Sequence, residues 1–132
     1  MPDVLTQAKQ LVKQTIGGNV NTWGNILNDN MELIDKAVGQ TLEKDVGLNT
    51  TVTAAEAQYS FYVLYGSATG DITVTWPTYR GFMVVFNAMV SDTIITCKML
   101  TGAGATVWPG EAMVIYSNGL DFRLASGAAV LR

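Results

Sequence analysis

Apolar residues change their spacing near residue 50. Up to that point they recur every three or four positions, which lines side chains along one face of a helix. Beyond it, runs rich in Val, Ile, Thr, Tyr and Phe alternate with breaks marked by Gly and Asn, the pattern of short strands and turns. The chain therefore divides into a helical segment over 1–39, a linker over 40–50 and a β domain over 51–132.

The helical segment reads as two short helices. The first is expected from Pro2 or Asp3 to Ile16. Proline suits a first helical position, and an aspartate favours the positive end of the helix dipole. Val4, Ala8, Leu11 and Thr15 share one stripe, with Leu5, Val12 and Ile16 beside it, and Gly17-Gly18 ends the run. The second begins after Asn21 or Thr22, both good N-caps, and ends near Gly39. Its apolar set allows two frames. A heptad frame places Trp23, Asn30 and Ala37 in one seam position and Ile26 and Leu33 in the other. Asn30 is then a polar residue inside the seam, a device that fixes register in coiled coils. The alternative frame, Leu27, Met31, Ile34 and Val38, packs one face on a neighbouring domain. Both frames need a partner surface, and Trp23, Ile26, Leu27, Asn30, Leu33 and Ile34 are the residues expected to form it.

The β domain offers runs at 50–53, 59–65, 71–76, 82–88, 93–99, 106–108, 113–116 and 122–125, with a helical turn at 54–58. Turn signals lie at 66–70, 101–104 and 117–119. Strands this short and this evenly spaced predict a small antiparallel sandwich or barrel. The fold class expected is thus α+β, a two-helix arm followed by that β domain. Two corners resemble each other. Thr75-Trp76-Pro77 precedes Phe82–Phe86, and Val107-Trp108-Pro109 precedes Ala112–Tyr116. The Trp-to-Met gaps are seven and five residues. Proline cannot donate to a strand ladder, so it ends the strand before it.

Composition narrows the function. Charged residues make up 14% of the 132 residues and hydrophobic ones 48%, whereas an average domain is about 25% charged. So neutral a surface predicts self-association, because obligate interfaces resemble a core cut in half. A net charge of −3, with eight scattered basic residues, excludes the Lys/Arg surface that nucleic acid requires. No apolar run approaches the roughly 20 residues of a membrane span, and no signal peptide is visible at the start. A single cysteine, Cys97, allows no intrachain disulfide; it reads as a small buried hydrophobe in a strand, with an interchain bridge as the alternative.

Chemistry is sparse. The chain has no histidine, which removes the commonest general base and the main imidazole metal ligand. One cysteine cannot build a thiolate zinc site. No cofactor or metal is expected. Asp29, Glu32 and Asp35 sit at helical spacing and read as a solvated face. Asp71, Asp92, Glu111 and Asp121 fall at turns or strand ends, and nothing in their spacing selects a catalytic pair of the glycosidase type. Trp76, Tyr79 and Trp108 lie near strand ends, where flat rings suit either sugar stacking or protein contact. The chain is expected not to be an enzyme.

The block Asn19-Val20-Asn21-Thr22-Trp23-Gly24-Asn25-Ile26-Leu27-Asn28-Asp29-Asn30, continued to Ile34-Asp35, resembles one that recurs in bacteriophage tail-fibre and related virion proteins. The β segments that follow also resemble the module found after that block. They include Gly70-Asp71-Ile72-Thr73-Val74-Thr75-Trp76-Pro77, Thr93-Ile94-Ile95-Thr96-Cys97-Lys98 and Gly104-Ala105-Thr106-Val107-Trp108-Pro109-Gly110. The resemblance implies a structural virion protein, usually a homotrimer, docked to tail, neck or capsid proteins, and it brings no catalytic residues. It admits a short fibre, spike, adaptor or decoration role. The rival expectation is a carbohydrate-binding module that recognises a host surface glycan through Trp76, Tyr79 or Trp108.

Overall fold

A computed structural model of the chain describes residues 3–125. Strand makes up 41% of it, in three sheets, with one α-helix of 17 residues. The expected arrangement, a two-helix arm ahead of a single small antiparallel sandwich or barrel, is overturned.

The first helix is absent. In its place are two two-residue strands, β1 (Val4–Leu5) and β2 (Val12–Lys13), paired antiparallel. The proposed start at Pro2 lies outside the described residues. Polar side chains hold this hairpin. The Asp3 carboxylate accepts from the Thr15 N–H at 2.7 Å and from the Asn19 amide at 2.6 Å. Those two bonds hold its carboxyl below the usual aspartate range. Gln10 takes a left-handed φ of 61° within the loop, which an uninterrupted helix could not accommodate.

The second helix is present as α1 (Trp23–Gly39), with Thr22 at its N-cap position. The Thr22 side chain does not cap it; the hydroxyl donates instead to the Asn19 carbonyl at 3.2 Å. The stretch read as a linker carries β3 (Thr41–Asp45) and ends at β4 (Thr50–Thr51). The strands that follow are β5 (Phe61–Gly66), β6 (Ile72–Trp76), β7 (Arg80–Met89), β8 (Ile95–Met99), β9 (Ala105–Val107), β10 (Ala112–Asn118) and β11 (Phe122–Leu124). Each falls on an expected run, but β5 with β7 and β6 with β8 pair parallel where antiparallel pairing was expected.

One sheet has the order β11-β10-β7-β5-β3 and the other β4-β6-β8-β9. Within them β3, β5 and β7 run parallel, as do β4, β6 and β8. From β3 to β8 the chain therefore winds as a coil, laying one strand in each sheet per turn. Register partners are 20 residues apart between Thr41 and Phe61, and 23 apart between Phe61 and Val84 and between Ile72 and Ile95. Antiparallel strands finish one end: β9 on β8, and β10 with β11 on β7.

Repeated corners lock successive turns together. The Asn49 side chain accepts from the Thr73 N–H at 2.9 Å, and Asp71, at the next corner, accepts from the Ile94 N–H at 3.0 Å. Between the sheets lies one core containing Tyr62, Leu64, Val74, Trp76, Met83, Val85, Ile95, Cys97, Ile115 and Phe122. Trp76 meets Tyr62 edge-on at 5.3 Å and Phe122 at 5.6 Å. Asn87 is fully buried on β7 and reaches across the core. Its amide donates to the Thr93 and Val107 carbonyls at 2.8 and 3.0 Å, and its oxygen accepts from the Met89 N–H at 3.1 Å.

The other end of the coil is an edge. Among the described residues β3 pairs only with β5. Its inward-facing Lys44 forms a 3.0 Å ion pair with Glu56, and an inward charge on an edge strand opposes the addition of another strand. Glu56 also completes a capping box on the 3-10 turn Glu56–Gln58. The Thr53 N–H donates to its carboxylate at 2.9 Å, and the Glu56 N–H donates to the Thr53 hydroxyl at 3.1 Å. Burial pushes the Glu56 carboxyl up, but the Thr53 N–H and Lys44 outweigh it and leave the pKa lowered.

Asn87→Ala leaves two carbonyls and an N–H unpaired in the core, at a cost of about 3 kcal/mol or more. The melting temperature should fall by roughly 10 °C in a thermal scan. A depressed carboxyl pKa contributes stability above the unfolded-chain value and loses it as pH falls through the folded one. Urea midpoints should therefore decline below about pH 4.5. Glu56→Ala should cost about 1 kcal/mol at neutral pH and make that acid decline shallower.

Candidate functional site

The helix α1 contains no buried residue, and its two apolar frames have separate fates. One face is half-buried and carries Ile26, Asn30, Leu33 and Ala37. Asn30 makes two bonds to the backbone of Val12 on β2, accepting from its N–H and donating to its carbonyl, both at 2.8 Å. A side-chain amide thus continues the pairing of a two-residue strand, and it fastens the helix to the hairpin. Asn30 is committed within its own chain and is not a seam residue turned toward a partner. At the far end of the helix Lys36 lies 5.6 Å from the centre of the Tyr59 ring.

The adjoining face is open. Trp23, Leu27, Met31, Ile34 and Val38 follow one another at four-, four-, three- and four-residue steps and are 46–70% exposed. Met31, Ile34, Asp35 and Val38 line a groove of about 310 Å³ on it. Of the six residues expected to dock, Trp23, Leu27 and Ile34 lie on this stripe. Ile26, Asn30 and Leu33 lie on the half-buried face.

A second apolar surface went unrecognised in the sequence. The outer face of the five-stranded sheet carries Phe61, Val63 and Tyr65 from β5, Phe82, Val84 and Phe86 from β7, and Val114 and Tyr116 from β10. Strand register sets them side by side: Phe61 opposite Val84, Val84 opposite Val114, Val63 opposite Phe86, Phe82 opposite Tyr116. Phe82, Tyr116, Tyr65 and Phe86 are 52%, 49%, 42% and 37% exposed. The other sheet presents a different outer face, with Thr73, Thr96 and Thr106 in one row and Thr51, Thr75 and Lys98 in the next. The signal was available: β5, β7 and β10 read as nearly continuous apolar runs, as strands covered on both faces do, whereas β6 and β8 alternate with threonine.

The rings considered for sugar stacking separate. Trp76 is fully buried and Tyr79 is 3% exposed, so neither offers a face to a ligand; Trp108 is 38% exposed. Tyr79 instead donates to the Phe82 carbonyl at 2.8 Å and receives Lys9 at 3.2 Å. Burial lowers the pKa of that lysine. Two of the four candidate carboxylates, Asp71 and Asp121, are engaged in turns. Asp71 holds its corner, and Asp121 accepts from the Ala103 N–H at 2.7 Å. Cys97 is buried on β8, and burial pushes its thiol pKa up. No group of three or more metal-ligating side chains occurs among the described residues. A shallow cleft of about 380 Å³ lies between the turns at Gly47–Asn49 and Ser67–Ile72, where the side chains of Asn49 and Asp71 already serve the corners. No helix of the described residues is long and apolar enough to cross a membrane.

No family model matches the chain, and no curated protein or solved structure is significantly similar to it.

The attachment of α1 is testable. Asn30→Ala should speed hydrogen exchange at the Val12 amide by about tenfold, for roughly 1.5 kcal/mol of lost bonding. The melting temperature of the β core should change little, because neither the helix nor the hairpin supplies a residue of that core. Unchanged exchange at Val12 would contradict the assignment.

Proposed function

We propose that this chain is a structural component of a bacteriophage virion, acting by contact rather than catalysis, and that α1 supplies the surface through which copies assemble as a homotrimer. The observation that carries the reading is the exposed stripe from Trp23 to Val38 on a helix whose other apolar face is already occupied. A helix with an apolar stripe is stable only where that stripe is covered. The virion assignment rests on the resemblance of the Asn19–Asp35 block and the β segments after it. The low charge of the chain favours the same reading, as does the use of its turn carboxylates as backbone acceptors. Of Trp76, Tyr79 and Trp108 only Trp108 is exposed, so the three form no shared stacking platform for a glycan.

Light scattering coupled to size exclusion at micromolar concentration should give three times the chain mass. Leu27→Asp combined with Ile34→Asp should reduce it to one, because two buried carboxylates oppose association strongly. A monomeric unmodified chain removes the self-assembly reading.

A further inference from the structure

We infer that the seat of the α1 stripe is the outer face of the five-stranded sheet on a second copy of the chain. The inference rests on the proposed assembly through α1 and names the surface that receives it.

Among the described residues two apolar surfaces stand open, and they match in shape. One is a flat sheet face and the other a helical stripe, and a stripe laid on a sheet face is a standard way for the two kinds of element to cover each other. The helix fits within the sheet: 17 helical residues span about 25 Å, and the ten residues of β7 span about 33 Å. The contact is between copies. The half-buried face of α1 is tied to its own β2 through Asn30, and Gln40 alone separates the helix from β3.

Area supports a second copy as the occupant. With rings of about 200 Å² each, the four exposed aromatics and their half-exposed neighbours offer roughly 600 Å². The five stripe residues offer roughly 500 Å². The largest apolar patch on a typical monomer is about 300–600 Å², and this chain carries two patches of that size. Joined, they bury about 1,100 Å², close to the lower bound of about 1,200 Å² for specific interfaces before any polar rim is added.

Stripe on sheet lets each copy use one surface to give and the other to receive. A closed assembly covers every stripe and every sheet face, and a ring of three, the number proposed above, is one such closure. Strand-to-strand growth at the β3 edge is opposed by the inward Lys44–Glu56 pair.

The test compares three samples by analytical ultracentrifugation, at a concentration where the unmodified chain is fully assembled. The stripe variant is Leu27→Asp with Ile34→Asp. The face variant is Phe82→Thr with Phe86→Thr; threonine suits a strand and already fills the outer face of the other sheet. The third sample is their equimolar mixture. Each variant alone should be monomeric, its association weakened about a hundredfold or more. The mixture should return a dimer, because one partner keeps its sheet face and the other its stripe. A face variant that still assembles overturns the inference and leaves assembly through α1 standing. A mixture that stays monomeric overturns it too, in favour of like surfaces meeting like. A stripe variant that still assembles removes the assembly reading itself. Circular dichroism melts establish that each variant is folded, and Tyr116→Thr with Val84→Thr replaces the face variant if the first is not.

Discussion

Parallel strands cannot be joined by tight turns, and the rest of this structure follows from how the chain answers that constraint. Each of β3, β5 and β7 must be reached from the same end, so the chain needs a return path after every strand. It uses β4, β6 and β8 for the return, laid in the opposing sheet. The two sheets are therefore built together, turn by turn, and their inner faces cannot avoid sharing a core. The alternation of buried Ile72, Val74 and Trp76 with exposed or half-exposed threonines is the local record of that geometry.

Polar groups make the coil specific. A stack of apolar strands tolerates slippage by one residue or one turn, at the cost of reversing which side chains face inward. Asn49 and Asp71 each bond to the backbone of the next turn, and Asn87 bridges from one sheet to the other. Each side chain has one position at which its partners exist. A shifted register would leave buried donors and acceptors unmatched, at roughly 1–3 kcal/mol each. The same logic holds the N-terminal segment. Its hairpin is too short to be stable by itself, and Asp3, Asn19 and Asn30 supply the bonds that its strands lack.

The two outer faces differ as though one were finished and the other not. Threonine and lysine on the four-stranded sheet leave it wetted. Aromatic and branched side chains leave the five-stranded sheet apolar on its outer face, and the stripe leaves α1 apolar on one side. With no histidine anywhere in the chain and the turn carboxylates Asp71 and Asp121 bonded to backbone, these two apolar surfaces stand open among the described residues. The assembly proposed for the chain draws on them.

The sequence determined the β segments and α1 because their signals are local. Runs of branched and aromatic residues between glycine turns located β5 to β11, and Trp23 to Gly39 kept helical period throughout. It misplaced residues 3–16, where the spacing of Val4, Ala8 and Leu11 fits a helix but left-handed Gln10 and the side-chain bonds of Asp3 make a hairpin. Intrinsic preference over so short a stretch is worth little against such bonds. Strand direction lay beyond it as well, since parallel and antiparallel strands present the same alternation. Asp71-Ile72-Thr73 and Thr93-Ile94-Ile95-Thr96, one coil apart, were the faint trace of the repeat. Only the tertiary structure decided that Trp76 and Tyr79 are core, that Asn30 looks inward, and that Leu27 and Phe82 are left uncovered. Exposure depends on which distant segment arrives to cover a side chain, and that is a property of the assembled coil.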